Sequence, residues 1–240
     1  MRSVILLALF FAALCHGQVA AGGGGACGTL TGTSPISCSV NVGSSGAVYL
    51  GAVLVCAGGS SISVTATYGG SSLTVGTVQT GGGDALVVPI YGASSLTGSN
   101  TLSVSWTGSG VSNCAVSEAY YTGVGSQAQA TAGSCVAAGG SNNEACTVGV
   151  TTSNANAWVV ALMSMSPAGA SPGGAETPAT SRALNPGAAI GDLGPVSAGS
   201  HTITFGVCSY CGTPTFNAVM LELVPAGGSS AVIQSHLIIH

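Results

Sequence analysis

Few side chains in this sequence can perform acid–base chemistry. The 240 residues include six carboxylates and four histidines, and among the carboxylates Glu118 and Glu222 lie well inside segments with the pattern of a β-strand. They fall near the ends of two similar stretches of sequence, so a duplicated fold would place them symmetrically. A glycosidase needs two carboxyl groups about 5 to 10 Å apart across a cleft. Because strand carboxylates more often face solvent, we expect no enzyme and keep a hydrolase using this pair as the least favoured alternative.

The other candidates for catalysis or metal binding are isolated. His201 would have to act as the base of a Ser-His-Asp set, yet the sequence has no G-x-S-x-G motif for a nucleophilic serine. Cys208 and Cys211 have zinc-ribbon spacing, but a closed site needs two more ligands. The acids are scattered, whereas calcium requires clustered oxygen ligands. We therefore predict no metal and no cofactor.

The cysteines instead indicate a disulfide framework. Nine are present, and eight of them follow residue 21, an even number that is typical of exported domains. The pattern C-x10-C-[ST]-V-x-V occurs twice, and this duplicated spacing predicts the first two bonds. Elimination gives the other two, so that the four predicted pairs are Cys27–Cys38, Cys135–Cys146, Cys56–Cys114 and Cys208–Cys211.

The repeated cysteine pattern belongs to a longer internal duplication. An apolar run follows each copy, at residues 47–55 and 157–165, with Tyr49 and Trp158 in near register. Each copy then closes on a similar segment, at residues 98–105 and 199–206. The chain therefore divides into two divergent halves, about residues 27–125 and 135–225, with a period too long for a solenoid repeat.

The amino-terminal segment has the pattern of a secretory signal peptide. Arg2 precedes an apolar run at residues 4–14, and small residues follow up to Ala21. Eleven apolar residues are too few to span a bilayer, which needs about 20. We predict a signal peptide at residues 1–21 and a protein that is secreted, at the outside of a cell or virion, without a membrane anchor after cleavage.

The composition excludes several classes of partner. Charged residues make up only 3% of the chain, and Arg2 and Arg182 are its two basic residues. Binding to nucleic acid or to an anionic membrane surface needs several Lys or Arg side chains, so neither is expected. A mean hydropathy of +0.60 also argues against disorder.

Short alternating segments between Gly, Ser and Asn clusters predict strands throughout the chain. No helix is convincing, so the fold class is an all-β sandwich or jelly roll of about 11 to 12 strands, a single domain over residues 22–225. Residues 167–195 are expected to form a long excursion with one short strand at 188–192. The predicted strands are 36–42, 47–56, 61–68, 73–78, 85–91, 101–106, 114–121, 145–151, 157–164, 202–207 and 218–224.

Several of these segments resemble a large group of secreted and phage-associated jelly-roll or immunoglobulin-like domains. The similarity is carried by residues 64–74, 101–107, 115–124 and 190–202, and it extends over nearly the whole chain. It implies one sandwich of about two hundred residues in which the two halves interleave. It implies no chemistry, because the group has no shared catalytic motif.

Aromatic residues near strand ends suggest glycan binding as the main alternative function. Trp106, Tyr120, Tyr121 and Tyr210 are the possible contacts. Core packing is the more common use of aromatic residues, but adjacent strand positions point to opposite faces. At least one of Tyr120 and Tyr121 is therefore expected to be exposed.

The carboxyl-terminal segment is predicted to be a linker followed by a strand. Residues 225–230 have the composition of a flexible linker, and residues 231–240 alternate so that Ala231, Ile233, Leu237 and Ile239 share one face. No charge protects this strand as a free edge, so it either folds back or pairs with a neighbour. We expect a secreted structural or surface-assembly protein whose partners are copies of itself, as an oligomer or filament, or other extracellular surface proteins.

The near absence of charge predicts a stability that hardly depends on salt, because there are few ion pairs to screen. Between low and high ionic strength we expect Tm, measured by calorimetry, to move by less than about 10 °C. This limit is well above the few degrees by which a change of 1 kcal/mol shifts Tm in a domain of this size. A larger shift would reveal a charged site that the sequence does not show.

Overall fold

The computed structural model describes residues 18–44, 48–58, 61–80, 85–136, 145–166, 173–176, 178–206 and 215–227. Within these ranges the chain forms strands and no helix, which confirms the all-β fold class. The strands are β1 Ala20–Thr31, β2 Ile36–Asn41, β3 Val48–Ala57, β4 Ser63–Tyr68, β5 Ser71–Ser72, β6 Thr74–Val75, β7 Gln79–Thr80, β8 Ala85–Ser94, β9 Ser99–Thr107, β10 Ser112–Thr122, β11 Val124–Val136, β12 Cys146–Thr152, β13 Ala157–Ser166, β14 Thr180–Asn185, β15 Ala188–Val196, β16 Gly199–Phe205 and β17 Thr215–Pro225.

The first ten strands form an amino-terminal lobe of two antiparallel sheets. Sheet A has the order β1-β10-β3-β8-β6, and β7 also pairs with β8. Sheet B has the order β2-β9-β4-β5. The space between them is filled by a core that includes Leu50, Leu54, Tyr68, Leu102 and Val104.

The last seven strands form a carboxyl-terminal lobe with the same strand order. Sheet C runs β11-β17-β13-β15-β14, and sheet D pairs β12 with β16. Residue Ala175 adds a single antiparallel bridge to Phe205 on β16, at the position that β4 occupies beside β9. The second core, which includes Met163, Ile203 and Met220, lies between sheets C and D. The internal duplication of the sequence is therefore also present in the strand order of the two lobes.

A third apolar cluster joins the two lobes and packs sheet A against sheet C. It combines Val53, Val55 and Tyr121 of sheet A with Leu162 and Leu221 of sheet C, among others. The layers therefore follow the order B, A, C, D. Sheets A and C are covered on both faces, and β3 is accordingly buried along nine consecutive residues.

The layered arrangement corrects several expectations. Each sheet takes its described strands from one lobe only, so the expected interleaving of the two halves within one sandwich is wrong. The strand number exceeds the expected 11 to 12 because β1, β11, β14 and the two-residue strands β5 and β7 escaped the sequence pattern. Only Thr74–Val75 of the predicted strand 73–78 is a strand.

The segment expected as a long excursion contains a β-hairpin of sheet C. Strands β14 and β15 pair across the turn at Pro186 and Gly187. β15 begins with Ala188 and Ala189 and is buried on both faces over its first five residues. Small residues covered on both sides show no polar alternation, which is why the sequence pattern suggested only one short strand there.

The first strand overlaps the predicted signal peptide. Val19 is buried in the cluster between the lobes, and Ala20 and Ala21 pair with Thr122 and Tyr121 in sheet A. Residues 1–17 lie outside the described part of the chain, so the signal peptide itself remains a prediction. A boundary at residue 21 would remove these contacts, whereas one before Val19 would keep them.

The glycines of β1 allow close approach of neighbouring side chains. The ring of Tyr120 lies over Gly22, so that a Cβ at this position would overlap it. A Cβ at Gly24 would meet the carbonyl oxygens of Glu118 at 2.7 Å and Arg182 at 3.0 Å. The glycine run thus lets β1 pair with β10 while β14 of the other lobe crosses it.

Two predicted disulfides are confirmed in the amino-terminal lobe. Cys27–Cys38 joins β1 of sheet A to β2 of sheet B, with the Cα atoms 5.1 Å apart. Cys56–Cys114 joins the neighbouring strands β3 and β10 inside the first core. Cys146 on β12 is also disulfide-bonded; the side chain of its predicted partner Cys135 lies outside the described part, as do Cys208 and Cys211.

A buried asparagine connects the lobes through hydrogen bonds. Asn185 on β14 donates from Nδ2 to the carbonyl oxygens of Gly28, at 2.7 Å, and Val116, at 3.0 Å. These two acceptors face each other across β1 and β10 beside an irregularity in the pairing. One amide group of sheet C therefore satisfies two carbonyls of sheet A.

We predict that Asn185→Ala lowers the free energy of unfolding by about 2 kcal/mol, because it leaves two buried carbonyls without their donor. Gln79→Ala is the control, since its amide makes a 3.4 Å bond to Thr77 in an exposed position, and a change within about 0.5 kcal/mol is expected. Denaturant unfolding monitored by fluorescence measures both. Equal effects would show that Asn185 does not hold the lobes together.

Candidate functional site

The two carboxylates singled out from the sequence occupy corresponding strands but point away from each other. Glu118 on β10 shares the face of Val116 and Tyr120, which is directed at sheet B. Glu222 on β17 shares the face of Met220, which is directed at sheet D. Sheets A and C both lie between them, and stacked sheets are about 10 Å apart. The expected symmetry is therefore present, but the two carboxyl groups do not face each other across one cleft, as the hydrolase alternative would require.

Glu222 holds a turn of its own lobe. Its Oε1 accepts hydrogen bonds from the backbone amides of Ser153, at 3.0 Å, and Asn154, at 2.9 Å. The Asn154 side chain donates to the same oxygen at 3.1 Å, and the Ser153 hydroxyl lies 3.4 Å from Oε2. The side chain is fully buried. Through these contacts Glu222 anchors the connection between β12 and β13.

Glu118 has a different environment in the other lobe. Burial raises the pKa of its carboxyl group from 4.5 to about 7 by desolvation, and its Oε2 has no hydrogen-bond partner. A Cβ at Gly25 of β1 would lie 3.8 Å from Oε1, and Tyr68 and Tyr120 belong to the core on the same side of the sheet. A raised pKa in a cleft would suggest an acid catalyst, but Glu118 lies within the apolar core between sheets A and B.

The one ion pair among the described residues lies between the lobes. Arg182 Nε is 2.5 Å from Asp192 Oδ2, and its Nη2 is 3.0 Å from Oδ1, a two-bond contact between β14 and β15. Asp192 is buried, and its charge helps to keep the pKa of Tyr121 well above 10, although burial of the phenol is the larger cause. The guanidinium group is thus committed to a structural carboxylate.

The aromatic residues proposed for glycan binding do not form a platform. Trp106 is buried in the first core and Tyr121 in the cluster between the lobes. Tyr120 is half-buried under β1, so the expectation that one of the adjacent tyrosines is exposed is wrong. Tyr210 lies outside the described residues. The covering by β1 and by the second lobe, neither visible from alternation, buries these rings.

The remaining site candidates stay separate. His201 Nε2 lies 2.7 Å from the carbonyl oxygen of Ser197, and its side chain is partly exposed at the end of β16. Within the described ranges no group of three His, Cys, Asp or Glu residues could hold a metal ion. In that same part of the chain, no helix is long and apolar enough to cross a membrane.

Sheet B presents a regular array of hydroxyl groups on its outer face. On β2, β9 and β4, buried residues alternate with Ser or Thr residues that face outward. The register aligns Ser37, Ser103 and Thr67 in one row across three strands, and the Ser37 hydroxyl donates to Ser103 at 2.9 Å. This surface, called face B below, consists of Ser37, Ser39, Ser63, Thr65, Thr67, Thr101, Ser103, Ser105 and Thr107.

Sheet D repeats the arrangement on the opposite side of the molecule. Thr147 on β12 faces Thr204 on β16, with hydroxyl oxygens 2.8 Å apart, and Thr151 faces Ser200 at 3.2 Å. Thr202 lies between these pairs, opposite Gly149. This second surface, called face D, therefore has five hydroxyl groups and, like face B, no charged side chain among the residues that define it.

Sequence reasoning did not single out these surfaces, although the signal was present. The segments TLSVSWT, SVTATY and CTVGVTT alternate apolar residues with Ser or Thr, a pattern that by itself predicts only strands. That their Ser and Thr residues form two exposed faces follows only from the position of sheets B and D as the outer layers.

Comparisons with family models, with curated proteins and with solved structures found no match to this chain. The resemblance to secreted and phage-associated jelly-roll or immunoglobulin-like domains therefore stays a hypothesis.

We predict that replacing Glu118 and Glu222 by glutamine, whose amide does not titrate, has opposite effects on the free energy of unfolding at pH 8. Because the pKa of Glu118 is raised in the folded state, folding binds its proton more tightly. The stability it contributes is complete below about pH 4.5 and is lost as the pH rises through about 7, at most about 3 kcal/mol. Glu118→Gln should remove this fall and make the protein more stable than wild type at pH 8.

Glu222→Gln is the matched control. It weakens charge-assisted bonds to the backbone of Ser153 and Asn154, and we expect it to lower stability at pH 8 by about 1 to 2 kcal/mol. Urea unfolding at pH 4, 6 and 8 measures both variants. A Glu118→Gln protein with the same pH dependence as wild type would contradict the buried, proton-binding carboxyl group.

Proposed function

We propose that this protein is a secreted, non-catalytic structural protein that assembles at an extracellular, cell or virion surface. The observation that carries the proposal is that four of the five charged side chains among the described residues have internal roles. Glu222 holds a turn, Arg182 and Asp192 pair within sheet C, and Glu118 is enclosed in a core. The strands that face outward in sheets B and D display neutral hydroxyl groups.

The rigidity of the scaffold supports a structural role. Three apolar clusters connect four sheets in series, and disulfides join sheet A to sheet B and β3 to β10. Disulfides fit an oxidising, extracellular environment. By the chain-entropy account, the bond across residues 56–114 contributes about 4 kcal/mol by restricting the unfolded chain.

The low surface charge supports association between copies. Of the described ionisable residues, Glu176 is exposed and His201 and Arg182 are partly exposed. Little electrostatic repulsion therefore opposes contact between molecules. Residues 231–240, which lie outside the described part, would supply the contact by adding a strand to an exposed sheet edge of a neighbour.

We predict that deleting residues 231–240 converts the assembled protein into a folded monomer, because the strands of sheets A to D all come from residues up to Pro225. Size-exclusion chromatography with light scattering measures the mass, and calorimetry confirms folding. A lower Tm at unchanged mass would instead mean that the strand closes its own sheet, and no change in either would contradict the assembly role.

Two full-length variants separate the faces of the predicted strand. Ile233→Lys places a charge on its apolar face and should also give a monomer. Gln234→Lys adds the same charge on the other face and should leave the mass unchanged. If both variants behave alike, the contact does not use the apolar face formed by Ala231, Ile233, Leu237 and Ile239.

A further inference from the structure

We propose that faces B and D bind the ordered water layer at the surface of ice. The inference rests on the proposed function, since it names the partner that an extracellular structural protein with two such faces would meet. Three observations support it: the register of the hydroxyl groups, the buried apolar residues beneath them, and the absence of charged and aromatic side chains from the residues that define the faces.

The hydroxyl groups of face B form a two-dimensional lattice. Neighbouring strands in a sheet are about 4.8 Å apart, and outward-facing residues along one strand recur at about 6.8 Å. Strand β9 carries Thr101, Ser103, Ser105 and Thr107 in this repeat, while Ser37 and Thr67 extend the row through Ser103 to both sides. Oxygen atoms on the prism faces of hexagonal ice repeat at distances of the same order in two perpendicular directions.

The lattice is held in place by the core beneath it. Leu102, Val104 and Trp106 alternate with the hydroxyl residues of β9 and are buried. Cys38 of β2 is anchored by its disulfide to sheet A. The four threonines of face B are stiff at χ1, so their hydroxyl and methyl groups have few alternative positions, and the Ser37 hydroxyl is fixed by its bond to Ser103. A surface already ordered in this way loses little conformational entropy when it contacts a crystal.

The composition of the faces favours a neutral, repeating partner. Neither face contains a charged side chain or an aromatic ring among its defining residues. A salt-bridging protein or an anionic surface would need charges, and a polysaccharide is usually bound by aromatic rings, none of which is among the residues that define the two faces. The interactions left to these faces are weak hydrogen bonds and methyl contacts, repeated at regular spacing. An ice surface can form many such interactions at once.

The two faces differ in expected strength. Sheets twist by about 20 to 25° per strand, so the match is best along β9 and decreases toward β2 and β4. Face D has two strands, with the row Thr147–Thr204 and the row Thr151–Ser200, and is therefore the smaller site. The faces lie on opposite outer layers, which would let one molecule contact two crystals.

The test uses the full-length, disulfide-bonded protein and single ice crystals in buffer. We expect the wild type to shape the crystals and to open a gap between melting and freezing temperatures that an unrelated protein at equal concentration does not. Ser103→Lys, in the middle of face B, should reduce this gap at least several-fold. Ser126→Lys adds the same charge to an exposed position on β11 of sheet C and should leave it unchanged.

Thr204→Lys on face D should cause a smaller loss, and the double variant Ser103→Lys/Thr204→Lys should abolish the gap while Tm stays that of wild type. A wild type without a gap, a gap that survives the double variant, or retention by crystalline cellulose or chitin in place of ice would overturn the inference. Light scattering on the same samples separates the two proposals. Multimers without activity on ice would contradict ice binding and leave the proposed function unaffected. A monomer with activity on ice would contradict the assembly and leave ice binding unaffected.

Discussion

Packing of sheet A against sheet C is the contact on which the rest of the structure depends. It turns two ordinary two-sheet sandwiches into four layers, and it buries Val53, Leu162 and Leu221 between them. Because β3 and β13 are then covered on both sides, each needs a continuous apolar sequence. The same contact makes sheets B and D the outer layers, which are the only ones that can show the alternation of apolar and hydroxyl residues on a large scale.

Burial between the lobes also governs what the polar groups can do. A carboxylate or guanidinium in this layer must find a partner, and Arg182 with Asp192 does so at 2.5 Å. Asn185 spans two carbonyls of the opposite sheet. Asn185 therefore ties the two lobes together, whereas Arg182 and Asp192 bond each other within sheet C. The chain has few other charges, so its outer surface depends on hydroxyl groups for hydration.

The duplicated topology shows how corresponding positions diverge. Glu118 and Glu222 lie on β10 and β17, on the faces turned toward sheets B and D. Glu222 meets two backbone amides and becomes a fixed part of a turn, whereas Glu118 meets an apolar core and holds its proton up to about pH 7. The local loops, and not the strands, account for the difference. Equivalent residues in a repeat thus indicate a shared fold without indicating a shared chemistry.

The sequence by itself determined the all-β class, most of the strands, the duplication, and the pairings Cys27–Cys38 and Cys56–Cys114. All of these follow from period-two alternation, turn residues and cysteine spacing, which are local properties. Only the tertiary structure decided that the halves do not interleave, that Tyr120 and Tyr121 are covered, that residues 180–196 form a hairpin, and that Glu118 and Glu222 point apart. Alternation tells which side chains share a face of a strand, but it does not tell which layer covers that face, because the covering strands come from distant parts of the chain.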